Sequence, residues 1–114
     1  MSDDCLFCKI IAGEIPSDRV FENEHVYAFR DINPAAPTHV LIIPREHIAM
    51  MSDLTEDNVE RMGQIVLAAK KIADQEGLTD GFRLVSNNGA NAGQAVFHIH
   101  FHMLGGRRMT WPPG

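Results

Sequence analysis

The stretch Val96-Phe97-His98-Ile99-His100-Phe101-His102-Met103-Leu104 places a histidine at every second position of an otherwise apolar run. A β-strand directs successive side chains to opposite faces of its sheet. The sequence therefore predicts a strand over Ala95–Leu104, with the three histidines on one face and Phe97, Ile99, Phe101 and Met103 in the core behind it. A lone histidine on a strand is usually structural. Half-burying three imidazoles costs on the order of several kcal/mol unless each has partners, so strict alternation predicts a functional site.

The chemistry of imidazole indicates what such a site can do. Its unperturbed pKa lies near 6.5, so neighbouring rings can divide the roles of nucleophile, acid and hydrogen-bond donor near neutral pH. A catalytic zinc centre is the first competing interpretation, because alternating histidines can supply two metal ligands. The Asp or Glu that often completes such a centre is missing from Gln94 to Arg108.

A loop rich in glycine and asparagine, Asn87–Gln94, directly precedes the histidine strand. Glycines let a backbone approach a ligand closely and expose N–H groups to an anion. A plain turn between two strands would look much the same. Joined to the histidine strand, however, the loop places amide donors beside three imidazoles, which is what in-line attack on a phosphate needs. We therefore predict phosphorus as the reacting atom.

The remaining elements follow from hydrophobic spacing and from residues typical of element ends. Apolar positions at helical spacing predict a short helix over Cys5–Ala12 and a long one over Thr55–Glu76. Extended runs predict further strands over Arg19–Glu22, His25–Asp31, His39–Pro44 and Phe82–Ser86. The order α, β, β, β, α, β, β indicates one domain over residues 1–114, an α+β fold with a five-stranded antiparallel sheet.

Charge and composition exclude several classes of partner. The 114 residues include 10 Lys plus Arg against 15 Asp plus Glu, a net charge of −5, with no basic block. Binding of a nucleic acid polymer is therefore not expected, whereas small anionic ligands remain open. No apolar run approaches the roughly 20 residues of a membrane helix, and the N-terminal MSDDCLFCKI is acidic and unlike a signal peptide. We expect a cytoplasmic protein without membrane contact.

Two short motifs near the chain ends leave alternatives open. Both cysteines lie in Cys5-Leu6-Phe7-Cys8, on one side of a helix or turn. The pair could be redox-active, bind a metal or supply two small side chains. The closing Trp111-Pro112-Pro113-Gly114 cannot be helical and carries the only tryptophan, so we expect that tail to dock, either on its own chain or on a second subunit.

The histidine run resembles the His-φ-His-φ-His-φ-φ signature of the histidine triad (HIT) family, where φ is apolar. The likeness extends over Cys5–Gly114 and includes the closing Trp-Pro-Pro-Gly, which resembles the Hint branch of nucleotide-binding proteins. It also includes Phe29-Arg30-Asp31-Ile32, Ala36-Pro37-Thr38-His39 and Pro44-Arg45-Glu46-His47. The resemblance implies a homodimer with joined sheets that hydrolyses the P–N bond of purine nucleoside phosphoramidates of AMP or GMP. The alternative is a nucleotide-binding regulatory dimer with little catalysis.

The resemblance also implies roles for individual residues. His100 matches the nucleophile that forms a nucleotidyl-histidine intermediate, and His102 and His39 match the phosphate-side histidines. Asp31 matches the acceptor for the ribose hydroxyls. Apolar walls for the base would come from Phe7, Ile10, Phe29 and Ile32. The phosphate-side loop would come from Asn87, Gly93, Gln94 and Ala95, and Trp111 is a further candidate substrate contact.

Zinc-bearing members of the family carry their ligands at positions that match Cys5, Cys8, His47 and His98. A closed Cys₂His₂ site of this kind would be structural, and the chemistry itself would need no cofactor. One departure from the family concerns Ala95, where many Hint proteins have a serine that touches the phosphate or the leaving group. We therefore expect slower turnover with the reaction class unchanged.

Overall fold

A computed structural model describes residues 4–114, so the first three residues of the acidic N-terminus lie outside it. Five strands form a single antiparallel sheet in the order β1-β2-β3-β5-β4. The strands are β1 Arg19–Glu22, β2 Val26–Arg30, β3 Thr38–Pro44, β4 Phe82–Val85 and β5 Phe101–Gly105. The helices are α1 Leu6–Ile11 and α2 Glu60–Glu76. The predicted α+β class, the element order and the five-stranded antiparallel sheet are confirmed.

The two helices cover opposite faces of the sheet. The α2 face is packed with small and branched side chains, which lets the helix lie close to the strands. This core contains Ile65, Ala68, Ala69 and Ile72 of α2 against Val26, Val40, Ile42, Ile99 and Met103. A second cluster joins Phe7 and Ile10 of α1 to Phe29, Leu41 and Ile43. The histidine face of β5 is therefore the face that α1 covers.

The long helix begins at Glu60, five residues after the predicted start at Thr55. Local side-chain hydrogen bonds hold the intervening segment in a turn: Thr55 N–H donates to Asn58 Oδ1 at 2.7 Å, and Asp57 N–H donates to Thr55 Oγ1 at 3.2 Å. Asn and Thr side chains of this kind offer the backbone an alternative to helical bonds. The helix ends at Gly77, which adopts the left-handed conformation at φ 72°.

The prediction of a strand over Ala95–Leu104 is wrong in its first half, because β5 begins only at Phe101. The register pairs Ile42 with Phe101, so Pro44 stands opposite Ile99 and has no N–H to give to the ladder. Ile99 N–H instead donates to Ile48 O at 2.8 Å. Phe97 was expected in the core and is 43% exposed, whereas Ile99 and Met103 are buried as predicted.

Strand β1 matches its prediction at both ends, and the other predicted elements differ from the structure by one residue at one or both ends. Neither helix of residues 4–114 combines the length and the apolarity that crossing a bilayer requires.

Candidate active site and candidate metal centre

Four imidazole rings and one phenyl ring form a continuous row beneath α1. The ring centroids of His39 and His102 lie 5.2 Å apart, and those of His102 and His100 also lie 5.2 Å apart. Phe7 of α1 makes edge contacts with His100 at 5.1 Å and with His98 at 6.0 Å. The fold thus brings together the three histidines predicted as catalytic and holds them against the N-terminal helix.

The hydrogen bond of His100 defines which of its nitrogens is reactive. Its Nδ1 lies 2.8 Å from the backbone carbonyl oxygen of His98, and a carbonyl oxygen only accepts. Nδ1 therefore carries the proton and donates it, which leaves the lone pair on Nε2. Ser86 Oγ donates to His100 O at 2.8 Å and fixes the same residue from the β4 side. His100 is 8% exposed. It is thus an oriented imidazole whose neutral form has its lone pair on Nε2.

A backbone amide sets the tautomers of the other two rings. Ala35 N–H donates to His39 Nδ1 at 3.0 Å, so a neutral His39 carries its proton on Nε2. That Nε2–H lies 3.0 Å from His102 Nδ1 and donates to it, which places the His102 proton on Nε2. Burial, together with the neighbouring His100 and His39, lowers the pKa of His102, so the ring is neutral at pH 7. The row therefore offers an N–H donor from His102 beside the His100 lone pair.

Asp31 supports this relay and also borders a pocket. Its Oδ2 lies 3.5 Å from His39 Nε2, and its Oδ1 accepts from Asn33 N–H at 2.8 Å. The pocket has a volume of about 300 Å³. It is mostly apolar, and its lining includes all five predicted base and ribose contacts, namely Phe7, Ile10, Phe29, Asp31 and Ile32.

The loop residues predicted to face the phosphate lie outside that pocket. Gln94 is buried, and its side chain is fully engaged within the loop: Oε1 accepts from Gly89 N–H at 2.8 Å, while Nε2 donates to Ala49 O at 2.8 Å and to Val96 O at 3.0 Å. Gln94 therefore shapes the loop and has no side-chain donor left for a phosphate. Asn87 lies beside Gly93, where an added Cβ would be 3.7 Å from Asn87 Nδ2. Ala95 is exposed, at a cavity that also borders Cys5 and His47.

The C-terminal tryptophan does not dock on its own chain. Trp111 is 82% exposed, and the preceding carbonyl of Thr110 accepts from Arg83 at 2.9 Å. The prediction that the tail docks is therefore wrong for docking of Trp111 on its own chain. Docking on a second subunit stays a prediction.

The four predicted metal ligands converge, with all ligand atoms of Cys5, Cys8, His47 and His98 within 4.8 Å of one another. His98 Nδ1 lies 3.3 Å from Cys5 Sγ, 3.6 Å from Cys8 Sγ and 3.3 Å from His47 Nδ1. Cys8 Sγ lies 3.4 Å from His47 Nδ1. A tetrahedral Zn²⁺ with bonds of about 2.0–2.3 Å holds its nitrogen and sulfur ligands roughly 3.3–3.8 Å apart. Both the spacing and the S₂N₂ donor set fit a structural metal ion.

The surroundings prepare this cluster for a cation. His98 Nε2–H donates to Pro44 O at 2.8 Å, which leaves the Nδ1 lone pair facing the two sulfurs. Burial lowers the pKa of His98 to about 4, so the ring is neutral. Burial and the Cys5 side chain raise the pKa of Cys8 to about 11. A bound dication reverses the latter effect, because it stabilises the thiolate form of its ligands.

Asp31, His39 and His102 form a second group whose ligand atoms lie within 4.8 Å. The amide of Ala35 occupies the Nδ1 lone pair of His39, so His39 Nε2 holds the ring proton and has no lone pair for a metal. The hydrogen bonds therefore favour a hydrogen-bonded relay through Asp31, His39 and His102. They disfavour a catalytic zinc centre, which was the competing interpretation of the sequence.

Comparison with known proteins agrees with this geometry. A family model described as the HIT domain matches residues 12–109. The chain belongs to the HIT family. This HIT protein is 52% identical over 111 residues to the 14 kDa zinc-binding protein of Zea mays, a match that covers 96% of this chain and 87% of the relative. It is 49% identical over 111 residues to the protein named adenylylsulfatase HINT1 of Arabidopsis thaliana, covering 96% and 76%.

Solved structures of HIT proteins share the fold over nearly the whole chain. The crystal structure of a HIT family hydrolase from Legionella pneumophila Philadelphia 1 superimposes with a TM-score of 0.94 at 56% identity, covering 97% of this chain and 100% of that chain. A HIT family hydrolase from Clostridium thermocellum gives 0.93 at 50% identity, with 96% of each chain covered. The family predicted from the histidine run is therefore confirmed.

Several contributors to the site of this HIT protein escaped the sequence analysis. Ala35 acts through its backbone N–H, which binds His39, and Pro44 through its backbone carbonyl, which binds His98. Ser86 acts through its hydroxyl, which binds the backbone carbonyl of His100. A sequence motif reveals none of these contacts. Phe7 was predicted only as a wall for the base, but its ring also touches two histidines. Its place between Cys5 and Cys8 was the available signal for that contact.

Proposed function

We propose that this HIT protein is a nucleotidyl hydrolase that cleaves the P–N bond of purine nucleoside phosphoramidates through His100. The observation that supports this proposal best is the tautomer pattern of the triad. An oriented lone pair on His100 Nε2 stands beside a ring, His102, whose free nitrogen bears a proton. A mostly apolar pocket of about 300 Å³ adjoins this row through Phe7 and Asp31, a volume at the lower end for small-molecule sites.

In the first step, His100 Nε2 attacks the α-phosphorus with its lone pair, and the P–N bond breaks. The electron pair of that bond passes to the leaving nitrogen, which takes a proton from water and departs as the amine. The new imidazolium keeps its Nδ1–H on the carbonyl of His98, which spreads the positive charge. His102 Nε2–H donates to a phosphoryl oxygen and stabilises the charge that develops there.

In the second step, water attacks the phosphorus of the nucleotidyl-histidine. The bond from phosphorus to His100 Nε2 breaks, its electron pair returns to the ring, and the attacking water loses a proton to solvent. The products are the nucleoside monophosphate and neutral His100. Splitting one displacement into two keeps a good nucleophile and a good leaving group in each.

Substrate binding divides between the pocket and the loop. The purine occupies the apolar walls formed by Phe7, Ile10, Phe29 and Ile32. The ribose hydroxyls bind the Asp31 carboxylate, which borders the same pocket. Backbone groups around Gly93 and Ala95, with the Asn87 side chain, form the phosphate side.

A structural zinc at Cys5, Cys8, His47 and His98 is part of this proposal. The ion supplies no step of the reaction; it ties α1 to the segment before β5. The tetrahedral spacing of the ligand atoms supports it, as does the zinc-binding name of the maize relative. His98 then gives its ring to the metal and its carbonyl to His100, so it is not an acid in the reaction.

Intact-mass spectrometry tests the proposal. After mixing with an adenosine phosphoramidate, we expect a transient mass increase of one adenosine monophosphate minus water, lost in His100→Ala. His25→Ala is the matched control, because His25 contacts Glu24 at the surface and lies outside the row. Equal turnover in His100→Ala and wild type, or none in either with nucleotide still bound, would favour the regulatory binding protein instead.

A further inference from the structure

The loop between β2 and β3 determines the tautomer of the histidine relay, and this loop has little regular structure of its own. It contains Pro34 and Pro37, which donate no backbone hydrogen bond. Ala35, which follows Pro34 in this loop, donates its N–H to His39 Nδ1 at 3.0 Å. The position of that single residue therefore decides which nitrogen of His39 accepts.

Arg107 holds Ala35 from the opposite side. Its Nε and Nη2 both donate to the Ala35 carbonyl oxygen, at 3.4 and 3.3 Å. Its Nη1 donates to Arg108 O at 3.1 Å, which orients the guanidinium plane. The planar fork of a guanidinium gives two N–H groups to one acceptor with a defined direction, which a single ammonium does not do.

The backbone next to Arg107 is built to lie against this loop. Gly106 adopts φ +88°, and a Cβ added there would stand 3.0 Å from Pro37 Cβ. Any larger residue would push the segment after β5 away from the loop. Gly106 thus permits a close approach that brings Arg107 to the Ala35 carbonyl.

We propose that Arg107 is a positioning residue for the histidine relay. By fixing the carbonyl of Ala35, it keeps the N–H of the same residue on His39 Nδ1. His39 then donates through Nε2 to His102, and His102 presents its own Nε2–H to the site. Without Arg107, the loop is free to release His39, whose proton can move to Nδ1. The relay then inverts, and His102 turns a lone pair toward the phosphate oxygens, where it repels them.

The tautomer part of this inference stands alone, and only its effect on rate rests on the proposed function. The test compares Arg107→Gln with Arg108→Gln, which removes the same charge from the neighbouring position. Long-range ¹H–¹⁵N NMR of the free protein distinguishes protonated from unprotonated ring nitrogens. We expect wild type and Arg108→Gln to show an unprotonated Nδ1 and a protonated Nε2 at His39. Arg107→Gln should show a mixture of both tautomers, and Arg107→Lys a smaller admixture.

The kinetic part uses single turnovers of an adenosine phosphoramidate. We expect Arg107→Gln to lower the single-turnover rate at saturation about three- to tenfold with an unchanged half-saturation concentration, while Arg108→Gln keeps the wild-type rate. A wild-type His39 spectrum in Arg107→Gln would overturn the inference, whatever the rate does. An inactive wild type would instead overturn the proposed function, and the spectra would still decide the role of Arg107.

Discussion

His98 joins two parts of the site in one residue. Its ring nitrogens face the cysteine pair and Pro44, while its backbone carbonyl accepts the proton of His100 Nδ1. The proposed nucleophile is therefore oriented by a residue that also belongs to the candidate metal cluster. Substituting the His98 ring acts on the cluster first and on His100 only through the backbone.

Ala95 supports a prediction about a missing side chain. Restoring a hydroxyl with Ala95→Ser should raise the single-turnover rate severalfold, because one donor to the developing charge can contribute up to about 2–4 kcal/mol. Ala92→Ser, at an exposed position of the same loop, is the control and should leave the rate unchanged. A flat or lower rate in Ala95→Ser would show that residue 95 does not reach the phosphate.

At the scale of elements, the periodic patterns of the sequence were sufficient for most of the fold. The apolar run over His39–Pro44 and the helical spacing along α2 indicate burial directly. Strand β3 lies within one residue of its prediction, whereas α2 begins five residues after its predicted start. The prediction was wrong for the first half of the histidine strand, and the alternation of side chains could not show the reason. Its partner at Ile99 is Pro44, so the ladder has no donor there although the side chains still alternate.

The candidate site was predictable in its side chains and unpredictable in its backbone contacts. His39, His102 and Asp31 could be placed together from the motif. That Ala35 N–H selects their tautomers depends on the path of a loop with two prolines, which no spacing rule defines. Likewise, the engagement of Gln94 with three backbone groups becomes visible only when the loop is folded.

The short helix α1 leads to a prediction about metal content. Helices of six residues are unstable in isolation, so α1 depends on its packing and on the cysteine ligands. Protein purified without an affinity tag should contain about one equivalent of zinc. Cys8→Ser should lose the zinc, and its free energy of unfolding, measured by urea titration, should fall by on the order of 3 kcal/mol or more. Less than about a tenth of an equivalent in wild type would reject the site.

The order of events on chelation separates a structural zinc from a catalytic one. If the ion is structural, α1 should unfold before or together with the loss of turnover. Amide hydrogen exchange of α1 measures this unfolding. Loss of turnover while α1 stays fully protected would contradict the structural role. Leu6→Ala, which changes an exposed residue of α1 and no ligand, is the matched control for helix stability.

For the whole molecule, the buried histidines predict a pH-dependent stability of the metal-free protein. Burial lowers the pKa of both His98 and His102, so the unfolded chain binds protons from about pH 6.5 downward while the folded chain does not. The free energy of unfolding should therefore fall as the pH drops from 6.5 to 5. The fall continues toward pH 4, where His98 protonates in the folded state.

Urea titrations at pH 7, 6 and 5 measure this slope above the range where carboxylates titrate. His25→Gln is the control substitution, because His25 lies beside Glu24 and outside the buried histidine row. Equal unfolding free energies at pH 7 and pH 5 would contradict the prediction.

Large apolar side chains on the surface predict self-association at the scale of the assembly. Val66 and Leu67 of α2 and Phe82 of β4 are exposed, and β4 is an edge strand. We expect a homodimer that covers these residues. Light scattering should give twice the monomer mass, and Phe82→Glu with Val66→Glu should reduce it to one monomer. A wild-type monomer at micromolar concentration would contradict the predicted dimer with joined sheets. Arg19→Glu, at an exposed position of the opposite edge strand β1, is the control.

Helix α1 carries Phe7, which lines the apolar pocket, and the adjacent Cys8, whose sulfur belongs to the candidate metal cluster. A mononucleotide at Phe7 and a metal ion at Cys8 would each order the same turn of backbone. The entropy cost of ordering that turn would then fall only on the ligand that binds first, so the second would bind more tightly. If both proposed ligands bind, thermodynamic reciprocity requires that mononucleotide raise the affinity of the cluster for the ion by the same factor by which the ion raises the affinity for mononucleotide.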